Sequence, residues 1–188
     1  MRRNWKILIL LGCLGIGAFN TLLYTGLQET TALNAMLLQS GQPALILVMG
    51  ALVMGDRISW RQIGGAVIAL LGVLAIIVRG NIGALIDFRF NGGDLVIAFA
   101  VCLWAIYAVM LRLKPAIHPL SLFAVTLVIG IVVIAPFYAV EVQSGRLIYP
   151  QGRAFLAIAY VSIFPSTLAY LFFIRGVELM VPLERASS

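Results

Sequence analysis

Asn20, Tyr24 and Gln28 recur at every fourth residue. On a helix that spacing puts an amide, a phenol and a second amide on one face. A second polar set, Gln28, Thr31, Asn34, Gln39 and Gln42, falls within about 140° of arc at about 100° per residue. A third, Ser162, Ser166 and Tyr170, repeats the interval of four. Rows of neutral donors and acceptors can hold a solute or hydrogen-bond a neighbouring helix; they do not supply acid–base chemistry. The first row should point into a bundle or a wet cavity, because unpaired polar groups in hydrocarbon are costly. For the second row, cavity lining and inter-helix hydrogen bonding both stand open. Trp104 and Tyr107, three residues apart, could form a cavity wall or simply pack.

The elements that must position these residues are apolar. About six uncharged stretches run near Ile7–Leu27, Ala32–Gly55, Ile63–Val78, Leu95–Leu111, Leu120–Val140 and Ala154–Ile174. Crossing the hydrocarbon core takes about 20 helical residues. Hydrophobic residues make up 62% of the chain and charged residues 11%, against roughly 25% charged in soluble domains. The expected fold is therefore all-α, a polytopic transmembrane helical bundle of about six spans. The runs lack the alternation of a barrel strand.

The net charge of +6 is better explained by orientation than by nucleic acid. With the amino terminus in the cytoplasm, Arg2, Arg3, Lys6, Arg57, Arg61, Arg112, Lys114, Arg175 and Arg185 lie inside. Arg79, Arg89, Arg146 and Arg153 lie outside, which agrees with the positive-inside rule. Both termini are then cytoplasmic, and the expected location is a bacterial plasma membrane. The first apolar run is longer than a signal-peptide core and lacks a small-x-small cleavage site, so it reads as a retained span. Cys13 and Cys102 read as small buried hydrophobes.

Gly12, Gly15 and Gly17 predict a packing surface in span one, and Gly64, Gly65, Ala69 and Gly72 one in span three. Pro43 and Pro165 should kink spans two and six. The segment 79–94 reads as a loop, and the tail 176–188 is too charged for another span. His118 sits between Pro115 and Pro119 and reads as a solvated loop residue. Asp56, Asp87 and Asp94 are placed at span ends, which leaves no charge deep in any span. One histidine and two cysteines on separate helices do not make a metal site. No catalytic residue, no cofactor and no enzymatic activity are expected.

Thr21-Leu-Leu-Tyr24 in span one matches Thr167-Leu-Ala-Tyr170 in span six, although the following glycines, Gly26 and Gly176, are out of step by four residues. The two spans run in opposite directions on the assigned orientation, as inverted repeats do. Several stretches together carry a resemblance. They are Asn20–Tyr24 with Gly26-Leu27, Thr31-Ala32 leading to Pro43, the loop GDRISWRQ with Gly64-Gly65, Gly72-Val73, Gly93–Arg112 with Trp104-Ala105-x-Tyr107, and span six with Gly176. In these the chain resembles the EamA-like branch of the drug/metabolite transporter superfamily. Asp56 stands where the family usually has glutamate.

The resemblance implies a ten-helix fold of two inverted five-helix repeats. On it, residues 1–80 are the last three helices of the first repeat, 81–94 the inter-repeat loop, and 95–188 the first three helices of the second. The chain then reads as truncated, lacking the first two and last two helices. The implied activity is movement of a small metabolite, amino acid or drug-like solute by alternating access; the competing expectation is a non-transporting assembly module or a nonfunctional remnant. Expected partners are the lipid bilayer, a small-molecule substrate, and either a second copy or a complementary fragment supplying the missing helices. The expected cavity residues are Asn20, Tyr24, Gln28, Asn34, Gln39, Gln42, Trp104, Tyr107, Ser166 and Tyr170.

Overall fold

A computed structural model describes residues 5–78, 91–114, 117–145 and 152–186. The expectations that fall on Arg2, Arg3, Arg79, Asp87, Arg89, Pro115 and Arg146 lie outside the described residues. Every regular element among the described residues is helical. Five helical runs are long and apolar enough to cross a membrane. They are span one (Trp5–Gly26), span two (Ala32–Met54), span four (Gly92–Leu113), span five (Pro119–Gln143) and span six (Arg153–Val177). Span three is the helix Trp60–Val78. The helix of span six continues to Ala186, so the tail prolongs a span.

Local chemistry sets the helix ends. Thr31 caps span two by accepting from the Asn34 N–H at 3.2 Å. Gly55, at φ 72°, ends that span in the left-handed conformation glycine favours. The Gly55 N–H donates to the Ala51 carbonyl, the single bond of an αL helix end, and the Asp56 N–H donates to the Gly50 carbonyl. Span three opens on a reciprocal capping box. The Ser59 N–H donates to Gln62 Oε1 at 2.8 Å and the Gln62 N–H to Ser59 Oγ at 3.3 Å. His118, expected as a bare loop residue, accepts from the Leu120 N–H at 3.3 Å and caps span five.

Spans one, two and six depart from regular α geometry within their length. Span one is π-helical over Gly12–Ala18, and span six over Ser162–Leu168 with Pro165 inside. Proline removes one backbone donor, and the Thr167 hydroxyl donates to the Ser162 carbonyl at 2.8 Å. Span two is interrupted at Gly41, between Ala32–Ser40 and Gln42–Met54. Pro43 lies just past that break, in a first turn where its missing N–H has no partner to lose.

The two π segments share a spacing with the glycine pairs. Ser162 lies 150 positions after Gly12, and Gly176 lies 150 after Gly26. The matched Thr-Leu-x-Tyr strings are 146 apart, so the four-letter match lies about one helical turn away from that spacing.

The chain folds into two compact units, Met1–Ile16 with Leu111–Ser188, and Gly17–Met110. In the first, the start of span one and the descending part of span six both pack on span five. A Cβ at Gly12 would stand 2.7 Å from Ile129 Cβ, so this glycine permits the helix contact the sequence predicted. In the second unit, span four is the centre: the end of span one and both pieces of span two pack against it. Ile97, Val101 and Ala35 form its buried core, with Leu23, Leu27, Leu38 and Leu45 around them. Span three differs from expectation. Its Gly64, Gly65 and Gly72 meet nothing that an added Cβ would touch, so the small-residue face is open among the described residues.

Gly26 and Gly93 let two backbones touch. A Cβ at Gly26 would come 2.6 Å from Ile97 Cγ1 and 2.8 Å from the Gly93 carbonyl oxygen. We predict that Gly26→Ala lowers stability by about 1–3 kcal/mol through overpacking. Gly64→Ala should be neutral or stabilising, since alanine is the better helix former by about 1 kcal/mol. Thermal unfolding of both variants in detergent checks the contrast.

Candidate functional site

A highly connected polar group of the unit Gly17–Met110 is Asp94, in the first turn of span four and fully buried at 0% exposure. Its position follows from Asn91-Gly-Gly-Asp94. The Asp94 N–H donates to Asn91 Oδ1 at 3.0 Å, and the Asn91 N–H donates back to Asp94 Oδ2 at 2.9 Å. This is a capping box in which asparagine and aspartate take the usual roles of serine and glutamate. A carboxylate there also meets the positive end of the helix dipole.

Two further bonds tie that cap to other elements. The Thr30 hydroxyl donates to Asp94 Oδ1 at 2.6 Å, and the Asn34 amide to Oδ2 at 3.2 Å. One side chain thus fastens the turn after span one, the start of span two and the start of span four. The Gly26–Gly93 approach lies beside it, and Glu29 flanks Gly92 and Gly93. The sequence reading placed Asp94 at a span end. That is where it lies, but it is buried and bonded to three residues instead of being solvated. Its signal was the Asn91–Asp94 spacing, hidden inside a segment read wholly as loop.

The expected row Asn20, Tyr24 and Gln28 is broken by the end of span one. The helix stops at Gly26, and Gln28 lies exposed in the turn that follows. Asn20 is half-buried, whereas Tyr24 is 60% exposed. The second row is also divided. Thr31 is a cap, Asn34 is buried and engaged with Asp94, and Gln39 and Gln42 are half-buried on either side of Gly41. A single 100° progression does not survive that interruption.

Aromatic rings form a connected step in the same unit. Phe19 and Trp104 have centroids 4.7 Å apart, and Trp104 and Tyr107 5.1 Å, both pairs tilted. Tyr107 is only 2% exposed, while Trp104 is half-buried. Phe19 and Tyr107 thus pack against the half-buried Trp104 ring, and Asn20 follows Phe19 on the same helix. Phe19 was not singled out from the sequence, where one phenylalanine among apolar neighbours has no signature.

In the other unit, Tyr170 is half-buried and donates from its hydroxyl to the Gly15 carbonyl at 2.5 Å. Its ring lies 6.1 Å from that of Phe123. Ser166 is exposed, and Ser162 donates to the Ile158 carbonyl at 2.7 Å within its own helix. Cys13 and Cys102 are free and half-buried, less enclosed than the sequence suggested.

Membrane-length helices, kinked and capped in this way, define a polytopic helical membrane protein. The model of the EamA-like transporter family matches residues 1–78 and 91–185. The chain belongs to the EamA-like transporter family. It is 32% identical to the uncharacterized transporter YyaM of Bacillus subtilis, over 95% of this chain and 59% of YyaM. An uncharacterized transporter of Methanothermobacter thermautotrophicus is 22% identical over 86% of this chain and 51% of its own length. A probable terminal-alkyne amino-acid exporter of Streptantibioticus cattleyicolor is 32% identical over 42% of this chain and 27% of the exporter. One crystal structure shares the fold with a TM-score of 0.72 at 20% identity, covering 94% of this chain and 60% of that one. The chain thus spans between half and three-fifths of the length of YyaM, the archaeal relative and the solved structure.

Replacing Asp94 tests its structural role. Asp94→Ala leaves the Thr30 hydroxyl and Asn34 amide without their acceptor, and each orphaned buried group costs about 1–3 kcal/mol. We expect a clear fall in thermal stability, read by unfolding in detergent. Glu141→Gln, at an exposed position on span five, should change stability by less than about 0.5 kcal/mol.

Proposed function

We propose that this chain is a transporter, or the middle part of one, that moves a small uncharged, zwitterionic or amphipathic solute across a bacterial plasma membrane by alternating access. The observation that carries this reading is the half-buried Trp104 ring packed between Phe19 and Tyr107, with Asn20 next to Phe19 in the chain. An aromatic face and a neutral amide suit a solute with an apolar body and a polar handle. Family membership supports transport as the activity.

Asp94 fits the same reading. Its carboxylate accepts from three protein donors, so it is already matched and needs no cationic solute. A neutral or zwitterionic amino acid with an apolar side chain is the first class to try, and the name of the Streptantibioticus cattleyicolor relative, a probable terminal-alkyne amino-acid exporter, points the same way. Tyr24, Gln28, Gln39, Gln42, Ser166 and Tyr170 remain as proposed contacts along the path.

The test is transport into membrane vesicles of a panel of apolar, acidic and basic amino acids. The chain would be measured alone and with the remaining helices of a relative supplied. Asn20→Leu should lower transport of the preferred solute by about 2–10-fold, the worth of one hydrogen bond of about 0.5–1.5 kcal/mol. The amount of folded protein in the membrane should stay the same. Unchanged transport in that variant and in Trp104→Ala would remove this site from the path. Absence of transport with the helices supplied would favour a non-transporting module.

A further inference from the structure

We propose that one end of the unit Met1–Ile16 with Leu111–Ser188, the end that carries Lys6, Arg112, Lys114 and Arg175, is a binding site for an anionic phospholipid. The chain's net charge of +6 is not shared between its two compact units. The unit Gly17–Met110 holds Arg57, Arg61, Arg79 and Arg89 against Glu29, Asp56, Asp87 and Asp94, and is neutral. The whole surplus therefore belongs to the other unit. Within that unit it gathers at one end of the spans. Lys6, Arg112, Lys114 and Arg175 flank that end, and the sequence adds Arg2, Arg3 and Arg185 against Glu178 and Glu184. The opposite ends have Arg146 and Arg153 against Glu141. The positive-inside rule asks for basic residues on one side of the membrane. It does not ask for the surplus to sit in one unit.

Helix contacts bring these charges to one level. Spans one and five, four crossings apart, run in the same direction. Gly12 is pressed against Ile129, so Lys6, six residues earlier, stands level with the first turns of span five. Span six returns, and its Tyr170 ring lies 6.1 Å from that of Phe123. Arg175 follows Tyr170 by five residues, about 7–8 Å along the helix. That is the level of His118 and Pro119, where span five begins. The same part of span six packs on the turn Leu111–Leu113, which holds Arg112, and Lys114 follows that turn. Apolar side chains lie next to these cations. Trp5, Leu113 and Leu120 are all exposed, and the Lys6 ammonium lies 6.0 Å from the centroid of the Trp5 ring. Tryptophan favours the headgroup level of a bilayer. Basic groups at the ends of membrane helices attract lipid phosphate. Exposed apolar residues beside them suit acyl chains, which a soluble anion lacks, and that pairing commits the site to a lipid.

The experiment uses the full chain in phosphatidylcholine vesicles and needs no knowledge of any transported solute. In a Trp60→Phe/Trp104→Phe background Trp5 is the one tryptophan left, and bromine on the acyl chains of an adjacent lipid quenches it. Brominated phosphatidylglycerol should quench Trp5 at a mole fraction about tenfold lower than brominated phosphatidylcholine does, as attraction from two or more cations predicts. Salt at about 0.5 M should remove most of that preference by screening. Equal quenching by the two lipids at low salt overturns the proposal, whatever the variants do. Lys6→Gln/Arg112→Gln should lower the preference at least about fivefold, and Lys6→Arg/Arg112→Lys should keep it. Arg57→Gln/Arg61→Gln removes the same charge from exposed positions in the neutral unit, and it should leave the preference within about twofold. An equal loss in that control means attraction to the charged surface at large and overturns a localised site. Relief of the quenching by inorganic phosphate at about the lipid's own concentration makes the ligand a soluble anion and overturns the lipid assignment.

Discussion

Asp94 places a carboxylate where the turn after span one and the starts of spans two and four come together, and the rest of the unit Gly17–Met110 depends on how that group is matched. In lipid, helices gain little from burying apolar surface, because the surrounding tails are equally apolar. Close packing and buried polar bonds must do the joining. An unmatched carboxylate would cost several kcal/mol; one that accepts from Thr30, Asn34 and Asn91 fixes position instead. The Gly26–Gly93 approach exists beside it because both residues lack a Cβ that would collide with the facing backbone. The hydrogen bonds of Asp94 and the glycine contact are parts of one joint: the first sets the register of the helices, and the second sets their separation.

The sequence read well wherever a signal is local and chemical. The apolar runs predicted the long helices to within a few residues, because about 20 uncharged residues have few alternatives. Gly12 is a contact surface, as small residues in a span suggest. Pro165 sits in a distorted helix, as its missing donor requires. The failures share a cause. Rows of polar residues were extended at a constant angle across Gly26 and Gly41, where the helices end or break. Helical periodicity holds only while the hydrogen-bond ladder is continuous. The Asn91–Asp94 box was missed because a Gly-Gly pair between its members made the segment read as loop. The bonds of Asp94 to Thr30 and Asn34 span more than sixty positions of sequence, and no local pattern encodes such a pairing.

Spans one and six carry both a letter match and a shared backbone feature. Thr-Leu-x-Tyr recurs at a spacing of 146, whereas the π segments and the Gly-Leu/Gly-Val pairs share a spacing of 150. A π segment requires one extra residue in the ladder and partners for the carbonyls it disturbs. Span one finds such a partner in the Tyr170 hydroxyl, and span six in the Thr167 hydroxyl. The two devices differ, one a glycine-rich stretch bonded by a neighbouring helix and the other a proline stretch bonded from within. The common element is the position of the irregularity, which is a property of helix geometry that several sequences can satisfy.

That distinction bears on what the polar residues of these spans are committed to. Asn34 and Thr30 are committed to Asp94, and Thr31 to a helix end. The hydroxyls of Ser162 and Thr167 are committed to carbonyls of their own helix. Much of the polarity that makes these spans look like a lined channel is therefore internal, and it compensates for caps, breaks and distortions in the helices.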